Sequence, residues 1–210
     1  MNYIAGLVAE AINAFFQVTG NYGVAIIIVS VILRLIIAPA QHIQVASTRR
    51  IKEVEPLKKQ IEKRYKGDPR RIQEETLRLY REHKINPTAG CLPMLLQIPI
   101  IWAFFVALRD FDYQGAASFL WIADLSQPDP WILPLLAGVT TYFVSKVTTP
   151  VTQDSTSQMM LYMMPLLLVW FARQFAAGLA LYWVVSNIVS VLQQLIYPAG
   201  GRDTAEGAVS

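Results

Sequence analysis

The sequence predicts an all-α integral membrane protein: five transmembrane helices, an N-terminal interfacial amphipathic helix ahead of them, and a cytoplasmic helical hairpin after the first span. Three observations predict it. The 210 residues are 54% hydrophobic and only 16% charged, with a mean hydropathy of +0.37, whereas a soluble domain carries about 25% charged residues. Five apolar stretches punctuate the chain, the third and fourth of them short for a full bilayer crossing. Basic residues crowd into one segment between two of them: 13 of the 18 Lys and Arg fall in 41–88, against seven acids.

The first element covers 2–19. Ile4, Leu7, Val8, Ala11, Ile12, Phe15 and Phe16 recur at helical spacing, while Glu10, Asn13 and Gln17 take the other side. This is the pattern of a helix lying in the membrane interface. The stretch has no basic start and carries Glu10 inside its apolar run, so a cleavable signal is not expected. The first span follows at 22–40, with one charge in 19 residues. At about 1.5 Å per residue it covers roughly 28 Å, the thickness of the hydrocarbon core.

Residues 41–88 form the hairpin. Ile51, Val54, Leu57, Ile61 and Tyr65 make one apolar stripe; Ile72, Thr76, Leu79, Tyr80 and His83 make a second. Gly67-Asp68-Pro69 separates them, with Asp68 placed as N-cap and Pro69 as first helical residue. Asn86-Pro87 is expected to stop the second helix. Two readings stay open: a mobile basic arm that meets a client chain, a ribosome or anionic lipid, or a solvated hairpin that fixes topology.

Segment 89–197 holds the other four spans, about 91–108, 131–145, 159–175 and 179–197, and 198–210 forms a short tail. The 109–130 loop carries Arg109 against four aspartates. The positive-inside rule then places 41–88 in the cytoplasm, the N-terminus outside and the C-terminus inside. Pro93, Pro99, Pro134 and Pro165 fall in or near spans, where each is expected to remove a backbone bond and favour a bend. Four methionines surround Pro165, read as lipid-facing filler or as an adaptable surface for varied partners.

Arg34 is the anomaly in the first span. A cation at a helix centre costs about 2.5–3.5 kcal/mol even on the mildest scale, and none of the five stretches contains Asp or Glu. Ser30 shares its helical face. The last span repeats the theme: Trp183, Ser186, Asn187, Ser190, Gln193 and Gln194 follow steps of three and four, while Thr140, Thr141, Ser145 and Gln97 supply polar positions in other spans. Each of these is open to ordinary interhelical hydrogen bonding, about 0.6 kcal/mol apiece. Arg34 can also snorkel, being about 9 Å from the cytoplasmic boundary by helix rise. Taken together they predict a polar hollow that opens to the cytoplasm and reaches partway through the bilayer.

No enzyme chemistry is visible. There is one cysteine, Cys91, and two histidines, His42 and His83, so neither a disulfide framework nor a Cys- or His-rich metal site is expected. No Walker, GxGxxG or HExxH pattern occurs. Neither a catalytic residue nor a cofactor is assigned, and no nucleic-acid binding is expected.

Four stretches in order, VILRLIIAP around Arg34, NPTAGCLPMLLQIPI from Asn86, ADLSQPDPWILPLLAGVT from Ala123 and GLALYWVVSNIVSVLQQLIY from Gly178, closely resemble the YidC family of membrane protein insertases in its compact bacterial form. The resemblance implies a multi-pass protein of the bacterial plasma membrane whose hydrophilic groove accepts nascent membrane-protein clients and releases them into lipid. It also implies the Sec translocon and the ribosome as candidate partners. Arg34 matches the groove arginine; Gln97, Ile98 and Ile101 fall on the second-span contact face, and Trp183 and Ser186 on that of the last span. Ser30, Thr141, Ser145 and Asn187 complete the expected groove. Val144 and Ser145 stand where the family often has a glutamine pair, Ala176 replaces a frequent proline, and the tail after Tyr197 lacks the basic run of some relatives. The competing reading is a small-solute transporter or channel, for which intramembrane charge is also expected. The odd span number, the absence of an internal repeat and the large hairpin weigh against it.

Overall fold

The computed structural model describes residues 2–86, 92–109, 111–113, 115, 117–148 and 155–196; Pro87, Cys91, Asp110 and the 198–210 tail lie outside the described residues. Eight helices appear there: α1 (Asn2–Thr19), α2 (Tyr22–Glu53), α3 (Glu55–Arg64), α4 (Pro69–Glu82), α5 (Leu92–Arg109), α6 (Ile132–Thr148), α7 (Ser155–Ala172) and α8 (Ala177–Ile196). A single isolated bridge, Phe119 to Ile122, is the β-type pairing among the described residues.

Among the described residues, two helices are long and apolar enough to cross a membrane. Tyr22–Pro39 of α2 has 18 residues at a mean hydropathy of 2.3, and Ala177–Ile196 has 20 at 1.6. The apolar runs Gln97–Arg109, Ile132–Val147 and Leu161–Ala172 are shorter, below the ~20 residues of a full crossing.

The core is built where small residues let backbones approach. Ala25, Ile26 and Val29 of α2, Ala103, Phe104 and Ala107 of α5, and Ala177, Ala180 and Val184 of α8 are buried together. Helix α1 lies against both α2 and α5. It buries Ala5, Val8 and Ile12 there while Tyr3, Ile4, Leu7 and Val18 stay exposed. Its apolar surface is therefore divided between a protein-facing side and an outward side, wider than the single face the periodicity suggests. Helices α6 and α7 pack side by side, and Gly138 is needed where Val169 crosses, because a Cβ would overlap that side chain.

The prolines behave differently from one another. Pro39, Pro99 and Pro165 lie inside α2, α5 and α7. Pro93 and Pro134 instead occupy first turns, where the missing N–H has no helical partner to lose; for these two the expected broken bond does not arise. Of the methionines near Pro165, Met159, Met163 and Met164 are exposed.

Helix α2 does not stop at the end of its apolar run but continues to Glu53, so the first span and the start of the hairpin share one rod. Asp68 accepts a hydrogen bond from the Arg71 N–H at 3.1 Å and Pro69 opens α4. The far end differs from expectation: α4 ends at Glu82, ahead of Asn86. Lys84 adopts a left-handed φ of 51°, and the N–H groups of Ile85 and Lys84 reach back to the carbonyls of Tyr80 (2.8 Å) and Arg81 (3.1 Å). This is a Schellman stop, so local turn geometry ends the helix before the proline. Val54, Leu79 and Ile85 form the hairpin's own small core, supported by Ile51, Ile61 and Tyr80. Leu57, placed in the same stripe by spacing, is exposed.

At the opposite end, residues 117–131 fold over the N-terminus of α8. The N–H groups of Ala177 and Gly178 donate to the carbonyls of Gln127 (2.8 Å) and Leu125 (2.9 Å). Tyr22 stacks on Phe16 with ring centroids 3.8 Å apart and meets Phe111 and Tyr113 edge-on. Burial, reinforced by the Asp124 charge, pushes the Tyr113 hydroxyl above its ordinary pKa. Phe119 rests directly on Gly23, where a Cβ would overlap its ring. Gly23→Val is therefore expected to destabilise the protein by about 1–3 kcal/mol, read as a lowered Tm in nanodiscs. Adding Phe119→Ala should restore part of the loss; an unchanged Tm in the single variant would mean that the close approach carries no weight.

Candidate functional site: a polar seam and an apolar recess

Arg34 projects from α2 toward α5 and α8. Its guanidinium donates to Gln97 Oε1 of α5 at 3.3 Å and to Ser190 Oγ of α8 at 2.7 Å. Gln97 in turn donates through Nε2 to the Tyr182 hydroxyl at 2.8 Å. Tyr182 is fixed by stacking on Phe104, with ring centroids 4.0 Å apart. Three helices are thus joined by one hydrogen-bonded seam that carries the Arg34 cation. Gln97 and Ser190 are neutral, so these bonds orient the guanidinium without cancelling its charge.

A second polar set joins α8 to α6. The Trp183 indole N–H donates to Thr141 Oγ1 at 3.2 Å, and Asn187 Nδ2 donates to Thr141 Oγ1 at 2.8 Å and Thr140 Oγ1 at 3.1 Å. The polar stripe of α8 is consequently split. Tyr182, Ser186 and Ser190, at steps of four, turn one way; Trp183 and Asn187, rotated by about 100°, turn the other.

Beyond Trp183 lies an apolar recess of about 420 Å³ between α5, α6, α7 and α8. Helix α5 contributes Ile98, Ile101, Trp102 and Phe105, which share one face at steps of three and four. Phe171, Phe175, Leu179 and Trp183 belong to the same lining, and Phe175 meets Phe105 edge-on with ring centroids 5.8 Å apart. Trp183 therefore belongs to both regions, its N–H tied to Thr141 and its ring in the recess.

The ten residues singled out by sequence do not meet at one point. Arg34 and Gln97 lie in the first seam; Thr141, Trp183 and Asn187 lie in the second; Ile98 and Ile101 line the recess with Trp183. Ser30 is fully buried and returns its hydroxyl to the Ile26 carbonyl one turn back, at 2.5 Å. It satisfies itself within its own helix, so it serves helix packing and does not face a hollow. Ser186 is buried on the Tyr182 side of α8. Ser145 sits a turn beyond Thr141 and is half-buried. Ser190 and Thr140, polar-stripe positions in the sequence though not among those ten, are bonded into the seams, and so is Tyr182, which the stripe did not include. Tyr182 was legible in principle, being four residues before Ser186, but its ring reads as core. Among the described residues no cluster of His, Cys, Asp or Glu could hold a metal ion.

Known proteins resemble this chain over most of its length. A family model described as 60Kd inner membrane protein matches residues 14–202. A membrane protein insertase YidC of Caldanaerobacter subterraneus subsp. tengcongensis is 40% identical over 198 residues, covering 94% of this chain and 95% of that protein. A membrane protein insertase YidC of Helicobacter pylori is 38% identical over 93% of this chain, which spans only 36% of that protein. A solved structure described as an active YidC insertase with the first transmembrane domain resolved superposes with a TM-score of 0.74 at 28% identity. It covers 93% of this chain and 46% of its own.

Thr141→Val removes the acceptor used by both Trp183 and Asn187, and is expected to cost about 1–2 kcal/mol, against about 0.6 kcal/mol for Tyr182→Phe, which removes one hydrogen bond and keeps the packing of the ring. Unfolding in nanodiscs measures both. Equal losses would mean that the Thr141 hydroxyl is not shared.

Proposed function

Because the chain belongs to the 60Kd inner membrane protein (YidC/Oxa1) family, we propose that it is a membrane protein insertase and chaperone of the bacterial plasma membrane. It accepts nascent membrane-protein segments from the cytoplasmic side and releases them into lipid. The observation that carries this reading is the Arg34 guanidinium, oriented by Gln97 and Ser190 between three helices and adjoining, through α5 and α8, an apolar recess. A passing segment has two needs that water or lipid alone does not meet together. Its polar or acidic flank needs a charged, hydrogen-bonding surface within the membrane; its apolar stretch needs a route toward lipid. The Arg34 seam answers the first and the Ile98, Ile101 and Trp183 surface the second. About 20 apolar residues of the client then supply the driving force for partition.

The topology that goes with this reading has five spans, α2, α5, α6, α7 and α8, with α1 in the interface, the N-terminus outside and the hairpin in the cytoplasm. The charge asymmetry supports it, since 41–88 holds 13 Lys and Arg. The shorter apolar runs of α5, α6 and α7 suit a hollowed, locally thinned bilayer better than a full-thickness one. The 117–131 segment folded over α8 favours a hollow closed on the outside, in place of a through-path for solutes. The α3–α4 hairpin, joined to α2 without a flexible break at Ala40, is positioned to meet clients or the ribosome, and the Sec translocon is a candidate partner.

Photo-crosslinking with a stalled client tests the reading. A crosslinker at Ile98, Ile101 or Trp183 should capture the client's apolar segment, whereas one at Val189 should not; crosslinks spread evenly around α8 would remove the case for a defined path. Arg34→Ala should impair insertion of clients with acidic extracytoplasmic tails several-fold more than neutral ones, and Arg34→Lys should retain most activity. Equal loss for both client types would assign Arg34 a structural role instead.

A further inference from the structure

The outer segment carries an apolar tip that the insertion path does not use. Phe119 and Ile122 exchange backbone hydrogen bonds at 2.9 and 2.8 Å, closing a tight turn with Leu120 and Trp121 at its apex. The flanking pair points inward: Ile122 is buried, and Phe119 packs on Gly23. Asn21 adds a hydrogen bond to the Ser118 carbonyl at 3.4 Å. The apex pair points outward, with Leu120 76% and Trp121 46% exposed. Leu120 holds a left-handed φ of 51°, a conformation that a bulky residue rarely adopts and that persists where the surroundings impose it. A glycine or asparagine would relieve that strain, so a leucine displayed outward on a rigid base points to something apolar in front of it.

The chemistry around the tip selects a lipid surface. Trp121 donates its indole N–H to the Asp129 carboxylate at 3.0 Å, and the other carboxylate oxygen accepts from the N–H groups of Trp131 (2.9 Å) and Leu133 (3.3 Å). Asp129 therefore spends its charge internally, fixing one tryptophan and opening α6. Trp131, 61% exposed, carries the Arg173 guanidinium over its ring at 4.4 Å. Tryptophan rings with a cation beside them fit the headgroup level of a bilayer, where the ring is half in hydrocarbon and the cation meets phosphate. Ile132 and Leu135 continue the exposed apolar surface down α6 from Trp131.

We propose that the Leu120–Trp121 tip inserts into the outer-leaflet interface, with Trp131 and Arg173 at the phosphates, and thereby holds the outer segment down over the N-terminus of α8. This rests on the membrane topology proposed above, and the experiment separates the two. In a Cys91→Ser background, single cysteines at Leu120, at Ile188 on the exposed side of α8, and at Lys66 in the hairpin turn are labelled with an environment-sensitive fluorophore. The protein is placed in phosphatidylcholine–phosphatidylglycerol nanodiscs containing acyl-chain spin-labelled lipid. The Leu120 probe should be quenched at least half as strongly as the Ile188 probe and several-fold more than the Lys66 probe. Quenching at Ile188 with Leu120 no different from Lys66 would overturn the tip's insertion while leaving the topology intact. Failure at Ile188 as well would remove the membrane reading and the tip with it.

Discussion

The interaction on which the arrangement depends is the seam from Arg34 through Gln97 and Tyr182, with Ser190 as its second arm. An arginine within an apolar helix costs about 2.5–3.5 kcal/mol on insertion scales, and interhelical hydrogen bonds in membranes return about 0.6–1.7 kcal/mol each. Two such bonds offset part of the cost and leave the charge itself uncancelled by those partners. The consequence is positional: α2, α5 and α8 must stay close enough for a guanidinium to span them, and the small residues of the core, Ala25, Ala103, Ala107, Ala177 and Ala180, make that approach possible.

Helix α8 then acts as the divider of the molecule. Its Tyr182 and Ser190 belong to the Arg34 seam, and its Trp183 and Asn187 face the threonines of α6. Trp183 sits at the boundary, with its polar edge anchored and its apolar face toward the recess. Under the proposed function, a client chain passing this surface would meet the Arg34 seam on one side of α8 and the recess on the other.

The outer end answers a different constraint. Backbone N–H groups at the start of α8 would be unsatisfied in an apolar setting, and the carbonyls of Leu125 and Gln127 satisfy two of them. Asp129 does the same for the start of α6. Residues 117–131 are thereby tied into the fold, with Phe119 seated on Gly23.

Composition and periodicity alone determined the all-helical class, the placement of the apolar runs, the Asp68 cap and the singling out of Arg34, because each is a local property: hydropathy, spacing or turn chemistry acts within a few residues. The four motif stretches also carried the family resemblance. Other features needed the tertiary structure. The polar stripe of α8 reads as one face in sequence, yet two different neighbours claim its two edges, which a single helix cannot reveal. Ser30 and Arg34 share a face by spacing, but burial lets Ser30 bond its own backbone while the longer Arg34 reaches other helices. Tyr182 reads as an apolar core ring until Gln97 approaches its hydroxyl. The α4 stop falls at the Schellman turn ahead of Asn86 because Ile85 is drawn into the hairpin core with Val54 and Leu79. Local chemistry fixes what each segment prefers; which of several permitted partners a side chain takes is decided by long-range packing, where neighbours distant in the chain compete for the same few ångströms.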